Sequence, residues 1–258
     1  MTGALILLDI GNSGAKWLRI DEGKISGAGR LDTAQIPKTL GPSLQNAKVL
    51  IASVAAPELQ QELSEKLSAQ GAVVWFAQTR DSLDGLVNSY ADPERMGVDR
   101  WLAMLAARRR HSGYLCVVDA GSALTIDLVA PGGEHEGGYI IPGTALMERA
   151  LFADTRRVRD RVAGAVSLLP GRSTAEAVSH GLLLAQAGAV DLALKRASQR
   201  GETPRLLLCG GGAEQLAEAL SCEYTLAPRL VFEGLLRQAE VECAEMLALH
   251  GVSSALLF

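Results

Sequence analysis

Aromatic residues make up only 4% of this 258-residue chain, and its four cysteines, Cys116, Cys209, Cys222 and Cys243, stand far apart without a CxxC pair. That spacing excludes a disulfide-stapled scaffold and a thiolate zinc module, and reduced thiols in a cytoplasmic protein are expected. No apolar run approaches the ~20 residues that cross a bilayer, and no Lys or Arg precedes the first of them, at residues 4–10. Neither a membrane span nor a signal peptide is expected. With 25 basic against 29 acidic side chains the net charge is −4, and no helix-turn-helix signal or clustered basic face is present. Nucleic acid is therefore not an expected partner. The chain also lacks the G-x-x-x-x-G-K-[ST] loop, a strand–GxGxxG–helix element and a Gly-x-Ser-x-Gly elbow, and His111, His135, His180 and His250 form no ligand spacing. P-loop, Rossmann, serine-hydrolase and zinc-site readings fail together.

What remains is a globular composition, 48% hydrophobic and 21% charged. A chain of this length buries roughly three-quarters of its unfolded surface, enough for one large domain or two lobes sharing a cleft. No period of 20 to 50 residues marks a solenoid or propeller. Two segments nevertheless begin alike. Ala4-Leu5-Ile6-Leu7-Leu8 ends in Asp9-Ile10-Gly11-Asn12-Ser13, and Leu115-Cys116-Val117-Val118 ends in Asp119-Ala120-Gly121-Ser122-Ala123. Each reads as strand, then Asp-x-Gly-polar turn, then a second apolar stretch (residues 16–20 and 124–129) returning as a hairpin. A duplicated fold follows.

Between and after these copies helices and strands alternate. Residues 48–54 and 72–76 read as strands, 57–70 as a helix with Pro57 in its first turn and Gly71 past its end. Residues 93–111 read as a helix with three arginines in the last turn, where the dipole favours cations. Ser173-Thr174-Ala175-Glu176 has capping-box spacing and opens a helix to about residue 200; residues 205–209 form a strand running into Gly210-Gly211-Gly212 and a final pair of helices. The expected architecture is α/β in two lobes, residues 1–113 and 114–258.

Asp9-Ile10-Gly11-Asn12-Ser13-Gly14-Ala15-Lys16 contains the parts of a phosphate cradle: a strand-end carboxylate, glycines that admit a ligand to the backbone, and Asn, Ser and Lys donors. Alone, it equally fits an ordinary Gly-Asn hairpin turn. The second copy, Asp119 to Thr125, shifts the balance, because two lobes gripping one polyphosphate need two such loops. The basic run at residues 156–161 is read as a solvated face and given no role.

Paired phosphate hairpins followed by a Gly-rich strand-to-helix turn resemble the acetate and sugar kinase, heat-shock-70 and actin superfamily. Five motifs in order, Asp9-x-Gly-Asn-Ser-x-x-Lys16, Gly97-Val98-Asp99-Arg100, Asp119-x-Gly-Ser-Ala-x-Thr125, Gly137-Gly-Tyr-Ile-Ile-Pro-Gly143 and Thr174-x-x-Ala-x-x-x-Gly181, resemble the type III pantothenate kinase family. Ser13 and Ser122 stand where that family more often has Thr, and both keep the hydroxyl. The resemblance implies a duplicated ribonuclease-H-like (actin-like ATPase) fold with mixed sheets flanked by helices. It also implies a homodimer that uses ATP to phosphorylate pantothenate, the first step toward coenzyme A, with a monovalent cation, potassium or ammonium, and magnesium accompanying the nucleotide.

By the same resemblance Asp99 is the proton acceptor, residues 9–16 and Ser122 hold ATP, and Tyr90, Gly97, Val98, Asp99, Arg100 and Thr174 hold pantothenate. Asp119 ligates the monovalent cation, and Asp9 holds magnesium through water. Each has a plainer alternative. Asp99 at a helix start is favoured by the dipole at about 0.3–1 kcal/mol, either strand-end Asp can cap its own turn, Tyr90 can pack on its loop, and Thr174 can simply open a capped helix. Arg100 suits a substrate carboxylate, held bidentately. Residues 210–212 either receive the adenine or only turn the chain. Residues 102–107 and 182–190 can face the core or a partner subunit. A small sugar or hexosamine kinase, or a nucleotide-sensing regulator of transcription, are the competing functions.

Overall fold

A computed structural model describes residues 3–41, 44–153 and 167–247. The basic run at 156–161 and His250 fall outside them. The chain divides into two compact units. The first combines the N-terminal residues through Arg110 with a segment beginning at Arg229, and the second is His111–Pro228.

In the first unit strands β1 (Leu5–Gly11), β2 (Gly14–Asp21) and β3 (Lys24–Leu31) are followed by helix α1 (Ile36–Leu40), β4 (Lys48–Ser53), α2 (Pro57–Ser68) and β5 (Val73–Phe76). A short hairpin, β6 (Ser82–Leu83) and β7 (Leu86–Val87), precedes α3 (Val98–Arg110). The sheet order is β3-β2-β1-β4-β5, with β1 antiparallel to β2 and parallel to β4. Central β1 is apolar at consecutive positions because both of its faces are covered. Ile6, Leu8 and Ile10 join Val49, Ile51, Leu63 and Leu67 in one buried cluster, and Leu5 and Leu7 on the opposite face are equally inaccessible.

The second unit repeats the plan. It contains β8 (Leu115–Ala120), β9 (Ala123–Val129), β10 (His135–Pro142), α4 (Thr144–Ala153), α5 (Thr174–Ser198), β11 (Arg205–Cys209), α6 (Ala213–Glu218) and β12 (Tyr224–Leu226), in sheet order β10-β9-β8-β11-β12. Pairing senses match strand for strand: β8 is antiparallel to β9 and parallel to β11. Asp9 and Asp119 each occupy the fifth position of the central strand of their sheet. The duplication expected from the two Asp-x-Gly turns is thus a duplication of whole sheets.

Three features differ from the sequence reading. The lobe boundary expected at 113 leaves the C-terminal helices in the second lobe, whereas α7 (Leu230–Glu242) and α8 (Ala244–Leu247) belong to the first unit. There α7 packs on α3, β1 and β4. Glu233, 1% exposed, accepts from Arg110 Nε at 2.7 Å and Nη2 at 2.5 Å. Burial pushes the Glu233 carboxyl above its ordinary range against the pull of that guanidinium. Second, the helix expected over 93–111 is broken: Pro93–Arg95 form one 3-10 turn, Met96 is extended and α3 starts only at Val98. Third, β3 and β12 were not foreseen, since neither carries a clear apolar pattern.

α3 is buried throughout residues 100–107, so the run at 102–107 faces the core. Its neighbour in ambiguity, α5, has two apolar faces. Ala187, Val190, Ala193 and Leu194 enter the second unit's core, while Leu184 and Leu192 are more than half exposed. By length and composition α5 is long and apolar enough to cross a membrane, the one such helix among the described residues, and its inner face already serves the core. Its start is capped: Ser173 Oγ accepts from Glu176 N at 3.2 Å, while Glu176 Oε2 accepts from Arg172 N, one residue earlier than a capping box requires.

Candidate active site

β1 delivers the Asp9 carboxylate at its carboxyl end, where the register sets it opposite Lys16 on β2, and Lys16 Nζ lies 3.6 Å from Asp9 Oδ2. Asn12 and Ser13 form the exposed tip of the turn. Gly14, at φ +127°, holds a backbone conformation that side chains avoid, and a Cβ there would meet Leu31 O at 2.9 Å. Asn12, Ser13 and Gly14, with Arg30, Leu31, Asp32 and Thr33, line a cleft of about 490 Å³. Ile10 and Ala15 are different: each residue is 2% exposed as a whole, backbone included, and packs in the core, so the two frame the turn and present no accessible group of their own to a ligand.

The residues of the first unit expected from the sequence to hold the acceptor lie at the start of α3 and on the loop before it. Gly97 O accepts from Trp101 N at 3.1 Å and so caps the helix, and a Cβ on Gly97 would lie 2.6 Å from Asp99 Oδ1. The glycine is what lets the half-buried Asp99 carboxylate fold back over the helix start, where Oδ1 also accepts from Arg100 N at 2.8 Å. Val54 packs against Gly97, and Val54 N donates to Ile10 O at 3.1 Å. Asp99 therefore lies at the carboxyl ends of β1 and β4, the end that also delivers Asp9. In open α/β sheets that edge is where ligands bind. Val98 is 7% exposed and supplies packing.

Arg100 is 6% exposed, yet its Nη1 donates to Tyr90 Oη at 2.9 Å. Tyr90 in turn is set by Asn88, whose Oδ1 accepts from Tyr90 N at 3.0 Å while its Nδ2 donates to Arg80 O at 3.3 Å. Arg80 is clamped to α7 through Glu242, Nε–Oε1 2.8 Å and Nη2–Oε2 2.9 Å, and Gln238 Nε2 donates to Gln78 O at 2.7 Å. Sequence reasoning found Tyr90 and Arg100 but not this brace. Asn88 two residues before Tyr90 was the one local signal, as Asn commonly bonds the backbone two residues on.

In the second unit Asp119 stands opposite Thr125 and Cys209 in register. Gly210, at φ +92°, comes so close that a Cβ would lie 2.3 Å from Asp119 Oδ1, and a Cβ on Gly143 would lie 2.5 Å from both Gly121 O and Ser122 O. Gly143 N donates to Ser122 O at 3.0 Å, and Gly212 N to Ala120 O at 2.8 Å. Three glycines thus shape the Asp119–Ser122 turn from outside it. The role of Gly143 was not legible because its partner lies some twenty residues away. Thr174 is the exposed first residue of α5, in the same unit as Asp119 and Ser122. Elsewhere in that unit His135 and Asp127, both buried, pair at 3.0 Å, and among the described residues no group of three metal-ligating side chains forms.

Structural comparison shows the fold. The chain is similar to a Baf family transcriptional activator from Campylobacter jejuni, with 22% identity, TM-score 0.60 and coverage of 94% of this chain and 97% of that one. It is similar to a 2-dehydro-3-deoxygalactonokinase protein from Sinorhizobium meliloti, with 15% identity, TM-score 0.54 and 92% and 98% covered. MreB5 of Spiroplasma citri bound to AMPPNP follows at 11% identity and TM-score 0.52, with 96% and 99% covered. The architecture is the actin-like ATPase and sugar kinase fold. Sequence comparison is more specific. A type III pantothenate kinase of Hahella chejuensis is 38% identical over 180 residues, 69% of this chain and 75% of that protein. One of Marinobacter nauticus is 40% identical over 181 residues, again 69% and 75%. The family model for type III pantothenate kinase matches residues 5–196, which span the Asp9 turn, the start of α3, the Asp119 turn and the opening of α5, and the chain belongs to that family.

Proposed function

We propose that this protein transfers the γ-phosphoryl group of ATP to the primary hydroxyl of pantothenate, giving 4′-phosphopantothenate and ADP in the first step of coenzyme A formation. The observation that carries the reading is the Asp99 carboxylate held at the start of α3 by a glycine that leaves it room, on the sheet edge that also delivers Asp9. In the reaction the acceptor oxygen bonds to the γ-phosphorus as the bond to the β-phosphate oxygen breaks, and the hydroxyl proton passes to Asp99. A loose phosphoryl-transfer transition state needs little deprotonation early, so orienting the hydroxyl is the first task of Asp99. Residues 9–16, through Asn12, Ser13, Lys16 and the backbone at Gly11 and Gly14, with Ile10 and Ala15 fixing the turn from the core, hold the polyphosphate together with Ser122. Arg100, positioned by Tyr90, takes the pantothenate carboxylate, and Gly97, Val98 and Thr174 complete that site.

The donor sets fit the implied ions. Magnesium with its hydration shell suits the half-buried Asp9 carboxylate, and a monovalent cation, potassium or ammonium, suits the Asp119 turn. Support for the latter is the set of oxygens the turn gathers, Asp119 Oδ1 beside Gly210 and the carbonyl oxygens of Gly121 and Ser122 beside Gly143, with no side chain on either glycine to cover them. These ions neutralise phosphate charge when bound. A homodimer is supported by the outer face of α5, where Gly181, Leu184, Ala185, Gly188 and Leu192 form an exposed stripe beside exposed Leu146 and Leu151 of α4. The two lobes divide near residue 113, with α7 and α8 returning to the first lobe, and the setting is cytoplasmic.

The test is ATP-dependent phosphorylation of pantothenate by the wild type and by Asp99→Asn, with and without potassium. The variant should keep its fold and ATP affinity and lose on the order of 10²-fold or more in kcat, the scale of general-base removal. Near wild-type turnover in the variant rejects the role of Asp99. Cation-independent turnover rejects that of Asp119, and phosphorylation of sugars but not pantothenate rejects the substrate.

A further inference from the structure

Directly paired residues on antiparallel strands share one face of the sheet, with Cβ atoms about 5 Å apart. Asp9 is paired with Lys16, and Lys16 with Arg30 on β3. One face therefore carries a row across three strands: a carboxylate, then two cations side by side. Lys16 already has Asp9 at 3.6 Å. Arg30 is exposed, and among the described residues it forms no ion pair. The nearest carboxylate in sequence, Asp32, is engaged elsewhere, its Oδ1 accepting from Ala34 N at 3.0 Å at the start of a 3-10 turn. Like charges set opposite each other on a sheet destabilise it, so this pairing costs free energy until an anion lies across it. The same Arg30 lines the cleft together with Asn12, Ser13 and Gly14.

We propose that Arg30 is a further polyphosphate-binding residue, extending the anion site of the Asp9–Lys16 turn by one strand and engaging the triphosphate rather than the nucleoside. The proposal rests on the kinase reading only in taking ATP as the natural ligand. A guanidinium presents a planar fork of donors suited to phosphate oxygens, and its charge offsets repulsion that Lys16 alone leaves. No sequence motif pointed to Arg30, because β3 is polar and glycine-rich and its register with β2 is a tertiary fact.

The experiment titrates the full-length wild type, Arg30→Gln and Arg30→Lys with ATP, AMP and inorganic tripolyphosphate by calorimetry, and follows KM for ATP and for pantothenate separately. Losing one charge-assisted contact corresponds to about tenfold in Kd, so Arg30→Gln should weaken ATP and tripolyphosphate about tenfold and raise KM for ATP alike. AMP binding and KM for pantothenate should stay near wild type, the ligand-free thermal midpoint of Arg30→Gln should hold or rise slightly as the repulsion with Lys16 is relieved, and Arg30→Lys should recover most of the loss in affinity. Unchanged ATP and tripolyphosphate affinities in Arg30→Gln overturn the proposal, as does an equal loss for ATP and AMP. The binding readout needs no acceptor: a wild type that binds ATP but leaves pantothenate untouched refutes the kinase reading while the Arg30 comparison still decides its own question.

Discussion

Gly234 lies in the middle of α7 where that helix crosses α3, and a methyl group added there would meet the Leu102 backbone, with its carbonyl oxygen at 2.0 Å, its carbonyl carbon at 2.6 Å and its Cα at 2.8 Å. Ordinary contact begins near 3.4 Å, so Gly234→Ala requires the two helices to part by about 1.4 Å. No flexible side chain can absorb this, because all three atoms are backbone. Overpacking typically costs about 1–3 kcal/mol, and a backbone clash belongs at the upper end. At about 2–4 °C per kcal/mol for a chain of this size, the thermal midpoint should fall by roughly 6–12 °C. The displacement also reaches the site, since Leu102 is three residues from Asp99 on the same helix. A misplacement of about 1 Å can cost on the order of 10²-fold in rate, so kcat should fall further than the unfolded fraction accounts for. Calorimetric melting and steady-state assay well below the midpoint measure both. A variant that melts with the wild type refutes the close crossing of α3 and α7, and one that melts early but turns over normally refutes their coupling to Asp99.

Two further outcomes follow from the brace between α7 and the Tyr90 loop. Asn88→Ala removes the acceptor of Tyr90 N and the donor to Arg80 O, and should raise KM for pantothenate by about five- to thirtyfold, the scale of one to two lost bonds at about 1 kcal/mol each, without changing KM for ATP. Equal changes in both constants would locate the effect in global stability instead. The second outcome concerns acid. Hydrogen bonds from Arg80 hold the Glu242 carboxyl below its ordinary range, and those from Arg237 do the same for Asp84. Carboxylates with lowered folded-state pKa values add stability above the ordinary carboxylate range that disappears as pH falls through the lowered values, below about pH 4. Urea midpoints between pH 6 and pH 3 should drop more steeply for the wild type than for the double variant Glu242→Gln, Asp84→Asn, and parallel curves would deny these pairs that role.

Local sequence carried the two turns on which the proposed chemistry rests. An apolar run ending in Asp-x-Gly-polar specifies strand, turn and strand wherever it occurs, because the period of two and the turn residues act within a few positions, and its two copies announced two sheets. Asp9 and Asp119 were legible for the same reason, whereas Gly97 and Asp99 came only from the resemblance to the family. Pairings across long separations were not legible. The return of α7 to the first unit depends on a glycine meeting Leu102 and on Glu233 meeting Arg110, contacts that leave no periodic trace. The break at Met96 and Gly97 was hidden because the surrounding residues all suit a helix, and what ends the 3-10 turn is tertiary: Thr79 Oγ1 donating to Met96 O at 2.9 Å from 17 residues away. Arg30 came into view only when β3 was found paired with β2, since register, not propensity, decides which side chains share a face. The sequence by itself determined the two Asp-x-Gly turns and the candidate groups they carry; the tertiary structure decided which backbone each glycine clears, which helix braces the Tyr90 loop and which cation stands beside Lys16. Those depend on closing loops of tens to hundreds of residues, a constraint that no short window of sequence contains.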